Sequence, residues 1–234
     1  IMGQKVLIFT ATYNEAGNIE AFLKAIDQLN LEVDVLIIDD NSPDQTWKIV
    51  KNYSENKKNI HLIIRNKKEG LDTAHKMAYN YSIKNDYDFF ITMDADLSHD
   101  PAAIPQFISE LEKNVFVLGS RYVKGGKCNL KGPRLFLSYF GNKFIKFVFN
   151  INCNEFTTSY RGFNLKKFKN FTLNDVESTG YSFFMETIYQ INKRGIPIKQ
   201  IPINFNKRII GKSKIPRIEI FRTLINIFKL RIKK

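Results

Sequence analysis

The feature that most constrains this chain is a series of five short apolar runs: KVLIFT (5–10), DVLIIDD (34–40), IHLIIR (60–65), DFFITMD (88–94) and VFVLGS (115–120). Each is nearly unbroken in Val, Ile, Leu and Phe, the pattern of a strand covered on both faces. Helical periodicity lies between them. Residues 18–29 place Ile19, Phe22, Leu23 and Ile26 on one face, and Ser42-Pro43 and Asp100-Pro101 each read as an N-cap followed by Pro in the first turn. This alternation predicts an α/β fold with a Rossmann-type, mostly parallel sheet flanked by helices, whose ligands gather at the carboxyl ends of the strands.

Those ends are where polar residues concentrate: Thr12, Tyr13, Asn14 and Glu15 after the first run, Asp39 and Asp40 after the second, Asp94 and Asp96 after the fourth, Arg121 after the fifth. The fourth is the most telling. In FFITMDADLSHDP (89–101) a segment that favours burial stops at two carboxylates one residue apart. Such a pair repels itself and loses hydration, a cost that a bound cation removes. A turn at the strand end lets one carboxylate bind a hard divalent ion directly while the other acts through water or on a nucleotide. No GxGxxG follows the first strand and no GxxxxGK[ST] occurs, which argues against a nicotinamide or flavin dehydrogenase and against a P-loop NTPase.

After Tyr122 the alternation breaks. VKGGKCNLKGPR (123–134) reads as a Gly- and Lys-rich loop, followed by an apolar helix with basic punctuation (135–151), a polar segment TTSYRGFN, a helix over 181–193, a strand IPIKQIPINFN and a last helix from 217. The expectation is one domain over 1–215 and an amphipathic basic helix over 216–234, either part of that domain or membrane-docking. In that helix Phe221, Leu224, Ile225, Phe228 and Ile232 recur at helical spacing among Arg222, Lys229, Arg231, Lys233 and Lys234, the composition of a helix lying in an anionic interface. A helix packed on the domain with a basic outer face is the plainer alternative.

The formal net charge of +13 points to an anionic partner: nucleic acid, phosphates or an acidic membrane. Acids clustered at the strand ends would repel a nucleic-acid backbone, so nucleic acid is not the expected partner. Cys128 and Cys153 have neither CxxC spacing nor a His cluster, so no zinc site or disulfide framework is expected. The start carries no signal-like region, and no run approaches the ~18 apolar residues of a membrane span. A cytoplasmic chain, peripheral on a membrane, is the expectation.

Arg121, Arg134, Arg161 and Arg208 are candidates for gripping phosphate oxygens, because the planar guanidinium fork matches them in pairs. His99 reads as a local hydrogen-bonding residue before a metal or donor ligand. Glu186 is open between sugar hydroxyls and a basic partner, and His61 and His75 show no partner pattern.

In order along the chain, TATYNEAGNI, VLIIDDNSPDQT, GLDTAHKMAY, MDADLSHDPAAIP, GSRYVKGG, GYSFFMET and IPINFNKRIIGKSK resemble the dolichol-phosphate (polyprenyl-phosphate) mannose synthase group of inverting glycosyltransferases with a GT-A fold, over about residues 5–214. The resemblance implies that Thr12, Tyr13, Glu15, Asp39 and Asp94 hold the nucleotide, that Asp94 and Asp96 handle Mg2+ or Mn2+, and that Arg121, Arg134, Ser138 and Arg208 hold the phosphate of a polyprenyl-phosphate acceptor. Asp96, Arg121 and Arg208 would be the catalytic set. Ala11, Asp72 and TTSYRGFN depart from the group's pattern, which bears on the base and sugar more than on the reaction. The implied reaction moves a hexose, mannose from GDP-mannose, onto the lipid phosphate. The alternatives are a UDP-sugar donor, a soluble or glycan acceptor whose hydroxyl would need Asp96 as base, or, in another class, a basic nucleic-acid-binding protein.

Overall fold

The computed structural model describes residues 3–206, 208, 210 and 218–232. Strands β1 (Val6–Thr12), β2 (Asp34–Asp39), β3 (Ile60–Ile64), β4 (Phe89–Thr92) and β5 (Phe116–Ser120) alternate with helices α1 (Ala16–Asp27), α2 (Thr46–Ser54), α3 (Leu71–Lys84) and α4 (Ile104–Lys113). The second half adds β6 (Lys127–Cys128), α5 (Pro133–Phe149), β7 (Arg161–Asn164), α6 (Ser182–Lys193), β8 (Ile198–Pro202), β9 (Asn204–Phe205) and α7 (Ile218–Ile232).

Seven strands form one sheet in the order β3-β2-β1-β4-β7-β5-β8, with β7 antiparallel to both neighbours and the other pairings parallel. Successive residues of β1 and β2 serve opposite cores. Leu7, Phe9, Leu36 and Ile38 pack on the side of α3, α5 and α6, while Val6, Ile8, Val35 and Ile37 pack on the side of α1 and α4. Burial on both sides is why the runs are apolar throughout.

Two expectations need correction. The segment TTSYRGFN is not merely polar: RGFN is β7, wedged between β4 and β5. Its composition hides this, because a Cβ on Gly162 would lie 2.9 Å from Leu111 Cδ1 of α4, so the position requires a residue without one. Ser42 is not a helix cap either. α2 begins three residues after Pro43, behind Gln45 in the left-handed region, and Ser42 turns back onto Asp39 instead. The other cap holds, since the Asp100 carboxylate accepts from the Ala102 N–H ahead of the 3-10 turn Pro101–Ala103.

α7 packs on α5 and α6, burying Ile227 and Leu230 in the same core as β1. The described part of the C-terminal helix is thus seated on the domain. His75 of α3 also lies in that core, edge-on to Phe9 and Phe184 at 5.0 and 5.1 Å, and its Nδ1–H donates to the Leu71 carbonyl at 2.9 Å. Burial lowers its pKa to about 4, so it is neutral in the fold. The unfolded chain then binds the extra proton between pH 6.5 and 4, and stability falls on acidification through that window, by about 1.4 kcal/mol per pH unit for one group. His99, also lowered by burial, acts in the same direction. Urea titrations at pH 7 and pH 5 should show the His75→Phe protein losing about 2 kcal/mol less than wild type. An equal loss in both would reject the assignment.

Candidate functional site

The loops after β1 and β2 are tied together first. The fully buried Asp39 (0% exposed) accepts from Thr12 Oγ1 at 2.6 Å, Ser42 Oγ at 2.7 Å and the Ser42 N–H at 2.8 Å. The backbone N–H groups of Asn14, Glu15 and Ala16 donate to Ser42 Oγ, Thr46 Oγ1 and Asp44 Oδ2, so the start of α1 is closed by side chains from the β2–α2 loop. Tyr13 stands half-buried above this floor with the Lys68 ammonium 4.2 Å from its ring centroid. Asp40, the second acid of the run, is bound to Arg65 and belongs to the scaffold.

The Asp94–Asp96 pair sits where β4 ends. The chain turns through Leu97, a non-glycine residue at φ +60°, and this brings Ser98 back so that its N–H and Oγ both donate to Asp96 Oδ1, at 2.9 and 2.6 Å. Left-handed backbone at a bulky residue is strained by roughly 1–3 kcal/mol. The turn's product is two carboxylates facing one site. Asp94 Oδ1 accepts from the Ser159 hydroxyl at 2.6 Å, Oδ2 lies 3.8 Å from His99 Nδ1, and the side chain is half-exposed. Withdrawal from water raises the Asp94 pKa, against the His99 ring and with Asp96 adding to the rise. Burial would raise Asp96 too, but the Ser98 donors and then Arg208 outweigh it and hold it low.

Arg208 is the feature least expected here. Its Nη2 lies 2.5 Å from Asp96 Oδ2 and its Nη1 3.8 Å from Glu15 Oε1, so an arginine assigned to the acceptor contacts two acids assigned to donor and metal. Arg121 is also engaged. Its Nε and Nη2 each lie 2.7 Å from an oxygen of the fully buried Glu155, and its guanidinium is flanked by the Tyr122 and Phe205 rings at 5.1 and 4.9 Å. Burial alone would raise the Glu155 pKa, yet Arg121 holds it below the usual range. Tyr122 donates to Ser138 Oγ at 2.7 Å, which ties the end of β5 to α5, and Arg134 stands exposed one turn before Ser138. Thr12, Tyr13, Glu15, Asp39, Asp94, Asp96 and Arg121 lie at or just after the carboxyl ends of β1, β2, β4 and β5 on one sheet edge; Arg208 reaches that edge through Asp96 and Glu15, and Ser138 through Tyr122.

Other candidates resolve into structural roles. Arg161 is buried, donating to the carbonyls of Thr158, Phe156 and Phe184, and burial lowers its pKa to about 9; it holds a loop and does not face an acceptor. His99 accepts from the Asp94 N–H at Nδ1 (3.1 Å), which makes Nε2 the donor to Thr158 Oγ1 (3.3 Å) and the ring neutral and local. Glu186 accepts from the N–H groups of Glu177 and Ser178 and from Gln190 Nε2. Asp72 accepts from the Gly180 N–H at 2.9 Å, pinning the start of α6 to the start of α3.

Glu155, Thr158 and Ser159 were missed in the sequence. Together they grip Arg121, His99 and Asp94 from one short segment, while Thr92 of β4 donates to the Ser159 carbonyl. The available signal was an acid between Cys153 and Phe156, both buried; an acid in such a setting requires a cation.

Among the described residues no group of three or more His, Cys, Asp or Glu is placed to enclose a metal ion. Two carboxylates at a strand end, each with Oδ1 held by a serine and, among the described residues, Oδ2 not bound by a neutral donor, fit the alternative in which substrate phosphates complete the coordination.

α5 turns Phe136, Phe140, Phe144 and Phe147 outward, Phe147 84% exposed, and α7 adds Ile225, Phe228 and Ile232 at 55, 59 and 81%. Among the described residues no helix is long and apolar enough to cross a membrane.

Comparison with known proteins places this geometry. The profile of glycosyl transferase family 2 matches residues 7–172. An undecaprenyl-phosphate mannosyltransferase of Micrococcus luteus is 29% identical over 224 residues, 95% of this chain and 92% of that protein. Among solved structures, glucosyl-3-phosphoglycerate synthase of Mycobacterium tuberculosis with UDP superposes with a TM-score of 0.68 at 13% identity, covering 99% of this chain and 80% of that one. A mannosyltransferase of Pyrobaculum calidifontis with GDP-Man and Mn2+ gives 0.58 at 18% identity, covering 100% and 66%. The fold is the GT-A glycosyltransferase fold, and the strand-end acids lie inside the matched region. The chain belongs to glycosyl transferase family 2.

Proposed function

We propose that this glycosyltransferase moves mannose from GDP-mannose to a polyprenyl phosphate, with inversion, at the cytoplasmic face of a membrane. The observation that carries the reading is the sharing of one sheet edge by the Asp94–Asp96 pair and the arginines, with Arg208 in contact with Asp96. The 29% identity to a polyprenyl-phosphate mannosyltransferase over nearly the whole length supports the substrate class.

Asp94 and Asp96 would hold Mg2+ or Mn2+, which supplies neutralisation of the charge that gathers on the departing diphosphate. Thr12, Tyr13 and Glu15 line the nucleotide side, and Asp39 shapes it from below through Thr12 and Ser42. A phosphate monoester is largely dianionic at neutral pH, with a second pKa of about 6, so the acceptor is nucleophilic without a general base. What the protein adds is position: Arg121, Arg134, Ser138 and Arg208 hold one anion beside another. α5 and α7 supply the docking face, with exposed aromatic and aliphatic side chains beside Arg134, Lys143, Arg222, Lys229 and Arg231. In this reading residues 1–215 form the transferase domain and 216–234 serve both its packing and its docking.

Three outcomes test the parts separately. In thermal unfolding, GDP-mannose with Mn2+ should raise the transition, UDP-sugars should not, and Asp96→Ala should lose the Mn2+-dependent part together with at least ~100-fold of the turnover, about 2.7 kcal/mol. A shift only with UDP-sugars would replace the donor. Phe147→Glu with Phe228→Glu should weaken sedimentation with phosphatidylglycerol vesicles roughly tenfold or more, since each buried Phe contributes about 1.5–3 kcal/mol; unchanged sedimentation would remove docking. Breaking the buried pair by Glu155→Gln alone should destabilise by about 3–5 kcal/mol. The double change Arg121→Met with Glu155→Gln should recover most of that stability in urea titration while failing to use polyprenyl phosphate. Recovered turnover would make Arg121 purely structural.

A further inference from the structure

Asp96 has two carboxylate oxygens and both are committed. Oδ1 receives the Ser98 N–H and hydroxyl, and Oδ2 receives Arg208 Nη2 at 2.5 Å. Asp94 is left with Oδ2, because Ser159 takes Oδ1. A divalent cation drawn to this pair meets a guanidinium already on the Asp96 oxygen it needs, and two cations at one oxygen repel.

The position of Arg208 is built from both sides. Asn206 donates its N–H to the Ser98 carbonyl at 2.8 Å, and Asn18 Nδ2 donates to the Ile210 carbonyl at 3.2 Å. Ser98 is the residue that orients Asp96, and Asn18 Nδ2 also donates to Glu15 Oε2 at 2.7 Å. Asn206 and Ile210 are therefore anchored to the same two places as the acids that Arg208 touches. His99 does not relieve the pair with a positive charge, since its Nδ1 accepts the Asp94 N–H.

We propose that Arg208 is a resident counter-ion that competes with the divalent cation for Asp96, and that cation and nucleoside diphosphate arriving together displace it. The displaced guanidinium is then available to a second anion. Until the donor is loaded, Asp96 and Glu15 occupy it. Binding is therefore ordered, donor and cation before acceptor phosphate, and the step that gives the acceptor its arginine is the step that removes Asp96 from it. The competition rests on the contacts alone; the order of substrates also rests on the function proposed above.

The test begins with Mn2+ and no nucleotide. Free Mn2+ is read from its aqueous electron paramagnetic resonance signal during titration of the full chain, the Arg208→Gln protein and the Asp96→Asn protein. Arg208→Gln should bind Mn2+ roughly tenfold more tightly than wild type, and Asp96→Asn more weakly, as two ligands competing for one group require. Equal or weaker binding by Arg208→Gln overturns the competition. Arg208 is partly exposed, and circular dichroism of the variant checks that the fold is kept. The order is read with a short-chain polyprenyl phosphate: wild type should show a thermal shift with it only when GDP and Mn2+ are present. An equal shift without them overturns the order. Tighter Mn2+ binding by Arg208→Gln with no lipid-phosphate shift under any condition would leave the competition standing and remove the acceptor assignment.

Discussion

The arrangement depends on how carboxylates are tolerated at the end of a buried strand. β4 is covered on both faces, and its continuation delivers Asp94 and Asp96 into a site that also contains Glu15. Three acids so close lose water and gain repulsion, so each must be compensated. The compensation is local: Ser98 for one oxygen of Asp96, Arg208 for the other, Ser159 for one oxygen of Asp94, Asn18 for one of Glu15. Hydroxyl and amide donors steady the carboxylates without removing their charge, whereas Arg208 does remove it in part. A site stabilised entirely by fixed neutral donors would be ready for a cation at all times. A site steadied by a movable cation is ready when something replaces it.

The segment over 155–161 gives this compensation its rigidity. Glu155 holds Arg121, Thr158 meets His99, Ser159 holds Asp94, and Arg161 fastens the segment's own carbonyls before the chain enters β7. β7 lies antiparallel between β4 and β5, the two strands whose ends carry Asp94 and Arg121. Insertion of that strand places one loop against both groups, which fixes the spacing between Asp94 and Arg121 through a few bonds.

The first half of the fold was legible because parallel strands buried on both faces write themselves as apolar runs, and the helices between them carry a 3.6-residue period. Asp94 and Asp96 were legible for the opposite reason: acids after an apolar run are conspicuous. β7 was not, since RGFN offers one apolar residue, Phe163, beside a glycine pressed under α4, an arginine that binds carbonyls and an asparagine. Ser42 misled because Ser-Pro has the local chemistry of a cap, and only the distant geometry of β2 shows that its hydroxyl is spent on Asp39. The Arg121–Glu155 and Arg208–Asp96 pairs lie 34 and 112 residues apart in sequence and carry no periodicity. Residue type identified the arginines as anion-seeking; it did not identify which anions inside the protein already satisfy them.

In the proposed function the docking face and the chemistry would meet on α5. Its first turns carry Arg134 and Ser138, the latter bound to Tyr122 at the end of β5, and its exposed side continues through Phe136, Phe140, Phe144 and Phe147 at spacings of four, four and three residues. A helix lying in an interface buries its apolar side to a depth of roughly 5–10 Å and leaves its polar atoms among headgroups. The phosphate of a polyprenyl lipid sits at that level, because its chain cannot leave the hydrocarbon. If α5 lies in the interface, Ser138 and Arg134 are already at the height of the acceptor phosphate, and the lipid need not be lifted out to react. The bond from Tyr122 then passes the membrane's position on to β5, and so to Arg121 beside it. The same helix can thus set the depth of the enzyme and the height of its acceptor site.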